Sequence, residues 1–198
     1  GEDTLFVDDA QTIAVNEEVL DDATNELGID KATLRPVVSA EVGNIFKFGT
    51  EKSEKMNFTY TDKDGIKKPL YLASYGIGIT RVMGVIAEMM SDSKGLVWHS
   101  NIAPYHVYLA SIGDVSGVAE DLCKQLETAG VSVIYDDRDV RPGEKFADAE
   151  LMGIPYRLVV SERNLESNSV ELTNREDGNT EMIPTDRIVN ILVEKTNS

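Results

Sequence analysis

"YLASYGIGITRVMG", residues 71–84, turns from an extended run into an apolar helix. Ser74, Tyr75, Gly76 and Gly78 stand before the turn, and Arg81 just after it. Upstream, "DKDG" (62–65) is a hairpin-turn signal between "MNFTYT" and "KKPLYLASY", so 56–61 and 69–75 are expected to be antiparallel neighbours. Downstream, Val82, Val85, Ile86 and Met89 recur at helical spacing until "SDSKG" (91–95). Arg81 sits among Ile77, Ile79, Val82 and Met83, which reads as a buried position. A buried guanidinium needs a carboxylate or a phosphate, and its planar fork suits phosphate oxygens. Glycines just upstream would let a nucleotide approach the backbone. Glu41 is then a candidate partner for a metal ion held on those phosphates. Two plainer explanations compete: glycines required by an unusual φ at an ordinary turn, and an internal Glu41–Arg81 ion pair. A dinucleotide-binding turn fails, because Arg81 replaces the third glycine and the preceding strand reads as antiparallel.

Further out the pattern stays legible. Asn16 can cap a short helix opening at Glu17-Glu18, and 34–50 reads as extended. Pro104 marks a boundary. Beyond it, 106–111 is strand-like, and Val115, Val118, Ala119, Leu122 and Leu126 form a helical stripe that stops at Gly130. "VSVIY" (131–135) and "YRLVVS" (156–161) read as strands around a charged loop, "DDRDVRPGEK" (136–145), and a short helix over 146–153. "DGN" (177–179) separates two further strands, and Thr185 can cap a last helix. Strands alternating with helices indicate an α/β unit with a largely parallel or mixed sheet.

Composition narrows the function classes. The 198 residues allow one large or two small domains, and no apolar run is long enough to span a bilayer. A signal peptide is not expected, because Gly1-Glu2-Asp3 is acidic where a basic segment would sit, and a start without Met is expected of a fragment or processed chain. Cys123 is the only cysteine and there are two histidines, His99 and His106. An internal disulfide is thereby excluded, a structural zinc site is not expected, and a reducing cytoplasm is the default compartment. A net charge of −16 argues against non-specific nucleic-acid binding. No basic residue precedes Lys31, so residues 1–33 read as an acidic, solubilising and mobile lead-in.

"EVGNIFKFGT…SE" (41–54), "YGIGITR" (75–81), "GLVW…IAPYHV" (95–107) and "DDR…RPGEKFADAELMGIPYRLVV" (136–160) occur in one order. Together they resemble the C-terminal part of prolyl-tRNA synthetases of bacterial type. The resemblance implies an α/β (α+β) chain. After the lead-in of residues 1–33, residues 34–102 would belong to the antiparallel sheet of a class II catalytic domain. Residues 103–198 would be a mixed-sheet anticodon-binding domain. "GIGITR" is similar to motif 3 of the class. Arg81 would hold the ATP phosphates as pyrophosphate leaves, Gly76 and Gly78 would line the adenylate site, and Glu41 would face ATP and its Mg²⁺. Ser74, with Phe46 and Gly49, would wall the proline pocket. Asp137, Arg138, Arg141 and Lys145 would meet the anticodon, whose guanines suit arginine and lysine. Read without the family, "DDRDVRPGEK" is a solvated turn of self-paired charge.

The implied activity is that of a proline–tRNA ligase in the cytoplasm: activation of proline with ATP and transfer to tRNA(Pro), by a homodimer in the complete enzyme. Motifs 1 and 2 are absent, so the isolated chain is expected to be inactive alone. His99 stands where the family has Pro, and "GTEKSE" replaces "GTKYSE", so Glu51 reverses a charge. The competing function is a non-catalytic RNA-binding or subunit-bridging module with an anticodon-binding-like domain. A small-molecule-binding α/β protein would explain the glycine–arginine turn, but not four segments in order.

Overall fold

A computed structural model of the protein describes residues 3–10 and 12–196. The chain divides into two compact units, Gly1–Val85 and Ile86–Ser198.

The first unit opens with β1 (Asp3–Asp8), β2 (Ile13–Asn16) and, later, β3 (Arg35–Ser39), joined as an antiparallel sheet in the order β2-β1-β3. A 3-10 turn at Glu17–Val19 and helix α1 (Leu20–Leu27) connect β2 to β3. The Asn16 side chain accepts from the Glu18 N–H, and Asp21 and Asp22 sit in the first turn of α1, where acids suit the helix dipole. The described residues of the acidic segment thus carry β1, β2 and α1. Three strands suffice to order it, and Val15, Thr24 and Ile29 are buried within it.

β4 (Gly43–Gly49) follows, then the short helix α2 (Glu51–Lys55), strands β5 (Thr59–Thr61), β6 (Lys67–Pro69) and β7 (Leu72–Ile77), and helix α3 (Ile79–Met89). The "DKDG" turn forms, with the Asp62 carboxylate accepting from the Asp64 and Ile66 N–H groups. Its strands pair differently from the sequence expectation. β5 meets only β6, and Leu70 adds one bond to the Phe58 carbonyl. Residues 72–77 pair instead with β4. β5 is three residues long, whereas β4 offers seven.

The second unit is built on strands β8 (Val107–Ile112), β9 (Val133–Asp136), β10 (Tyr156–Ser161), β11 (Ser169–Asn174) and β12 (Thr180–Pro184), with helices α4 (Ser116–Thr128), α5 (Pro142–Met152), α6 (Glu162–Leu165) and α7 (Ile188–Thr196) between and after them. The sheet order is β12-β11-β10-β8-β9. β8 is parallel to both β9 and β10, and the other pairs are antiparallel. Side chains alternate along β8: Val107 and Leu109 join the core that holds Leu122, Leu126, Ile188 and Leu192, while Tyr108 and Ala110 pack with Ala149 and Ile154. That burial on both faces is why β8 reads as a continuous apolar run.

Two details differ from the sequence reading. α5 begins at Pro142, so the last four residues of the expected charged loop are helix. Arg141 is its N-cap, and proline at N1 loses no helical bond. Thr185 caps nothing: its buried hydroxyl has no hydrogen-bond partner, and α7 starts three residues later.

Candidate functional site

β4 and β7 place Asn44 opposite Gly76 and Phe46 opposite Ser74, so these four residues share one face of the ribbon. The Phe46 and Phe48 rings stack at 5.8 Å. Gly49, at φ 62°, lies past a bulge and opposite Leu72. At the far end, Gly78 donates to the Val42 carbonyl at 2.8 Å, and its own carbonyl accepts from Val82 as α3 begins. Arg81 is the third residue of that helix, and its Nη1 donates to the Glu41 carbonyl at 2.8 Å. The Glu41 carboxylate accepts from Asn44 Nδ2 at 3.3 Å. Glu41, Asn44, Gly76, Gly78 and Arg81 thus come together beside a helix N-terminus, which itself favours anions.

Two expectations about this turn change. Arg81 is exposed, so a desolvation cost does not force a phosphate upon it. Neither Gly76 nor Gly78 has a positive φ, so the turn does not demand glycine for its backbone conformation. A Cβ on Gly76 would meet nothing within 4 Å, so open space lies over the strand there.

The second cluster lies at the C-terminal ends of parallel strands β8 and β9, where open α/β sheets bind ligands. Asp137 and Arg141 are exposed. Arg138 is held by two carboxylates: Nε donates to Asp136 Oδ1 at 2.9 Å, and Nη2 donates to Asp136 Oδ2 at 2.8 Å and to Asp148 Oδ2 at 2.7 Å. The Tyr108 hydroxyl donates to Asp136 Oδ2 from below. Lys145 is buried, and its Nζ donates to the Ser111 and Asp136 carbonyls, each at 2.9 Å. The residue expected to offer a cationic head thus ties β8 to β9. A cleft of about 620 Å³ opens beside Ser111, Asp114, Asp137, Arg138, Val140 and Lys145. Another, of about 430 Å³, is lined by Tyr108, Ile134, Arg138, Asp148, Leu151 and Met152.

The Arg138 guanidinium holds the Asp136 carboxyl well below the usual carboxylate range, against the opposing effect of burial. Burial, then the bond to Asp136, pushes the Tyr108 hydroxyl up. A depressed carboxyl contributes stability that is full above its unfolded-state pKa, about 4, and is lost as pH falls from there toward the folded value. Asp92, held down by Arg175, works in the same direction. Thermal midpoints measured from pH 7 to pH 2.5 should therefore fall less steeply in Asp136→Asn than in the parent chain. Parallel profiles would remove Asp136 from the acid response.

Residues 106–195 match the family model described as an anticodon binding domain. A protein of Persephonella marina named proline–tRNA ligase is 42% identical over 166 residues, which is 82% of this chain and 29% of that protein. One of the same name from Paraburkholderia phymatum is 41% identical over 160 residues, or 78% and 28%. Another from Paracoccus denitrificans is 40% identical over 168 residues, or 82% and 37%. The family is that of the prolyl-tRNA synthetases, in their C-terminal part. The chain spans about a third of the length of these relatives, or less.

Within this synthetase family's anticodon-binding domain the structure brings Asp137, Arg138 and Lys145 to one cleft, with Arg141 capping the adjoining helix. Sequence reasoning missed Tyr108, Asp136 and Asp148, on which the placement of Arg138 depends. Asp136 carried a signal, since it closes a strand otherwise made of apolar residues. It also missed Asn44, whose place opposite Gly76 follows only from the β4–β7 register.

Proposed function

We propose that this chain supplies the motif 3 side of the ATP and proline site, and the anticodon-binding domain, of a proline–tRNA ligase. The observation that carries the reading is the joint presence of the Glu41–Gly76–Arg81 cluster and a matched anticodon-binding domain in one chain. A purely RNA-binding module has no use for the first of these.

Arg81 donates to phosphate oxygens and stabilises the charge that gathers on pyrophosphate as it leaves. Its bond to the Glu41 carbonyl already fixes the direction of the side chain. Gly76 leaves room for the nucleotide against β7, and the start of α3 adds backbone N–H groups. Phe46 and Ser74, facing each other, wall the proline ring, with Gly49 at the bulge. Among the described residues no group of three acidic, histidine or cysteine side chains could hold a metal. Glu41 would offer a carboxylate oxygen to the Mg²⁺ that ATP carries. The ion would neutralise phosphate charge.

At the other end, Asp137, Arg138 and Arg141 meet the anticodon of tRNA(Pro), while Lys145 holds the strands beneath them. No helix among the described residues is long and apolar enough to cross a membrane. The proposed enzyme is a cytoplasmic homodimer.

Filter binding of the chain to a tRNA(Pro) transcript, and to a copy with its anticodon guanines replaced, tests the reading. Preference for the native anticodon, with binding to it weakened in Arg138→Ala, is the expected result. Equal binding of both transcripts would withdraw the anticodon role.

A further inference from the structure

Arginine reads a base edge with two adjacent N–H groups, so the edges left open decide how it can act. Arg138 has five donors. Nε and one Nη2 proton are taken by Asp136, and Nη2 also donates to Asp148. The side-on edge is therefore closed, and the end-on edge has lost one of its two nitrogens. The two carboxylates engage neither Nη1 nor the flat face of the guanidinium, and the side chain is 47% exposed. Arg138 lines a cleft together with Tyr108, Ile134, Leu151 and Met152. Leu151 presents its side chain to solvent there at 62% exposure, an apolar surface suited to a base face.

We infer that Asp136 and Asp148 are positioning residues that clamp Arg138, so that it meets an unpaired base by stacking and through Nη1 rather than as a two-pronged reader of the base edge. The inference rests on the anticodon role proposed above. Stacking on arginine planes is an established way of holding unpaired bases. A stacker must be held flat. Two carboxylates do this from one side of the fork, and Asp136 is itself fixed by the Tyr108 hydroxyl and by the Arg138 backbone N–H at 3.2 Å. Sequence discrimination then falls to neighbours with open polar edges, Asp137 and Arg141.

The test is a titration of the 198-residue chain with tRNA(Pro) transcripts. Asp148→Asn releases one restraint on the guanidinium and should weaken binding about threefold to tenfold, the cost of immobilising one long side chain. In an Arg138→Ala background the same change should do nothing, because Asp148 acts only through Arg138. Replacing the anticodon guanines by 7-deazaguanine, which lacks the N7 acceptor, should cost no more in the parent chain than in Arg138→Ala. Equal losses from Asp148→Asn in both backgrounds, or no loss in either, would overturn the clamp. A 7-deaza loss that disappears in Arg138→Ala would show that Arg138 reads the edge. If Arg138→Ala binds as the parent does, the anticodon reading itself fails and this inference falls with it.

Discussion

Gly153→Ala is expected to lower the midpoint of the second unit's heat unfolding by about 10 °C, from a loss of about 3 kcal/mol. Gly153 ends α5 in the left-handed region at φ 69°, its N–H bonded to the Ala149 carbonyl. A side chain in that conformation costs about 1 kcal/mol by itself. The larger part comes from the segment that docks there. Leu96 donates to the Leu151 carbonyl at 3.2 Å, and Trp98 donates to the Gly153 carbonyl at 3.1 Å. A Cβ on Gly153 would lie 2.1 Å from the Leu96 carbonyl oxygen. That oxygen is backbone and cannot rotate away, so the segment must lift and lose both bonds. Gly95 is tight against the same helix end, where a Cβ would lie 2.4 Å from Leu151 Cα. Gly130→Ala is the control. Its φ is also positive, at 87°, but nothing lies within 4 Å of the added carbon. It should show only the backbone cost, about a third of the Gly153 effect. Equal shifts in the two variants would mean that the docked segment adds nothing.

The contrast between these glycines shows what a sequence can and cannot carry. Elements built on periodicity were legible: the β8 run, the α4 stripe ending at Gly130, and the β10 run all sit where their apolar spacing placed them. The start of α5 was obscured because "RPGEK" is polar, although Arg141-Pro142 carried a cap signal. Pairing was less legible than the strands themselves. A turn specifies its nearest neighbours, and β7's partner, β4, lies across the intervening hairpin. The site residues divide in the same way. Arg81 and Glu41 were named from residue type and do come together, but through a backbone carbonyl that no side-chain pattern encodes. Lys145 reads as a surface cation in sequence. Only the packing of α5 against β8 and β9 shows its Nζ enclosed by two carbonyls. Asp148 lies ten residues from Arg138, and the loop into α5 brings the two into contact.

On the proposed function, Arg81→Ala in the complete enzyme is expected to slow ATP-dependent activation of proline by about 10²–10³-fold, the usual loss when one preorganised donor to developing charge is removed. Its side chain is anchored through Nη1 to the Glu41 carbonyl, so its direction is set within the chain itself. A lysine keeps the charge but neither the planar fork nor that anchor, so Arg81→Lys should recover less than about a tenth of the loss. Gly76→Val supplies the complementary case. Nothing within 4 Å opposes a carbon there, so folding should tolerate the change while the space over β7 is filled. Its signature is a raised KM for ATP with little change in thermal midpoint. Pyrophosphate exchange dependent on proline measures both variants, and tRNA binding should be untouched in each, because neither residue lies in the anticodon-binding domain. Exchange at the parent rate in Arg81→Ala would remove the guanidinium from the reaction and leave the glycine–arginine turn as a structural joint between β7 and α3.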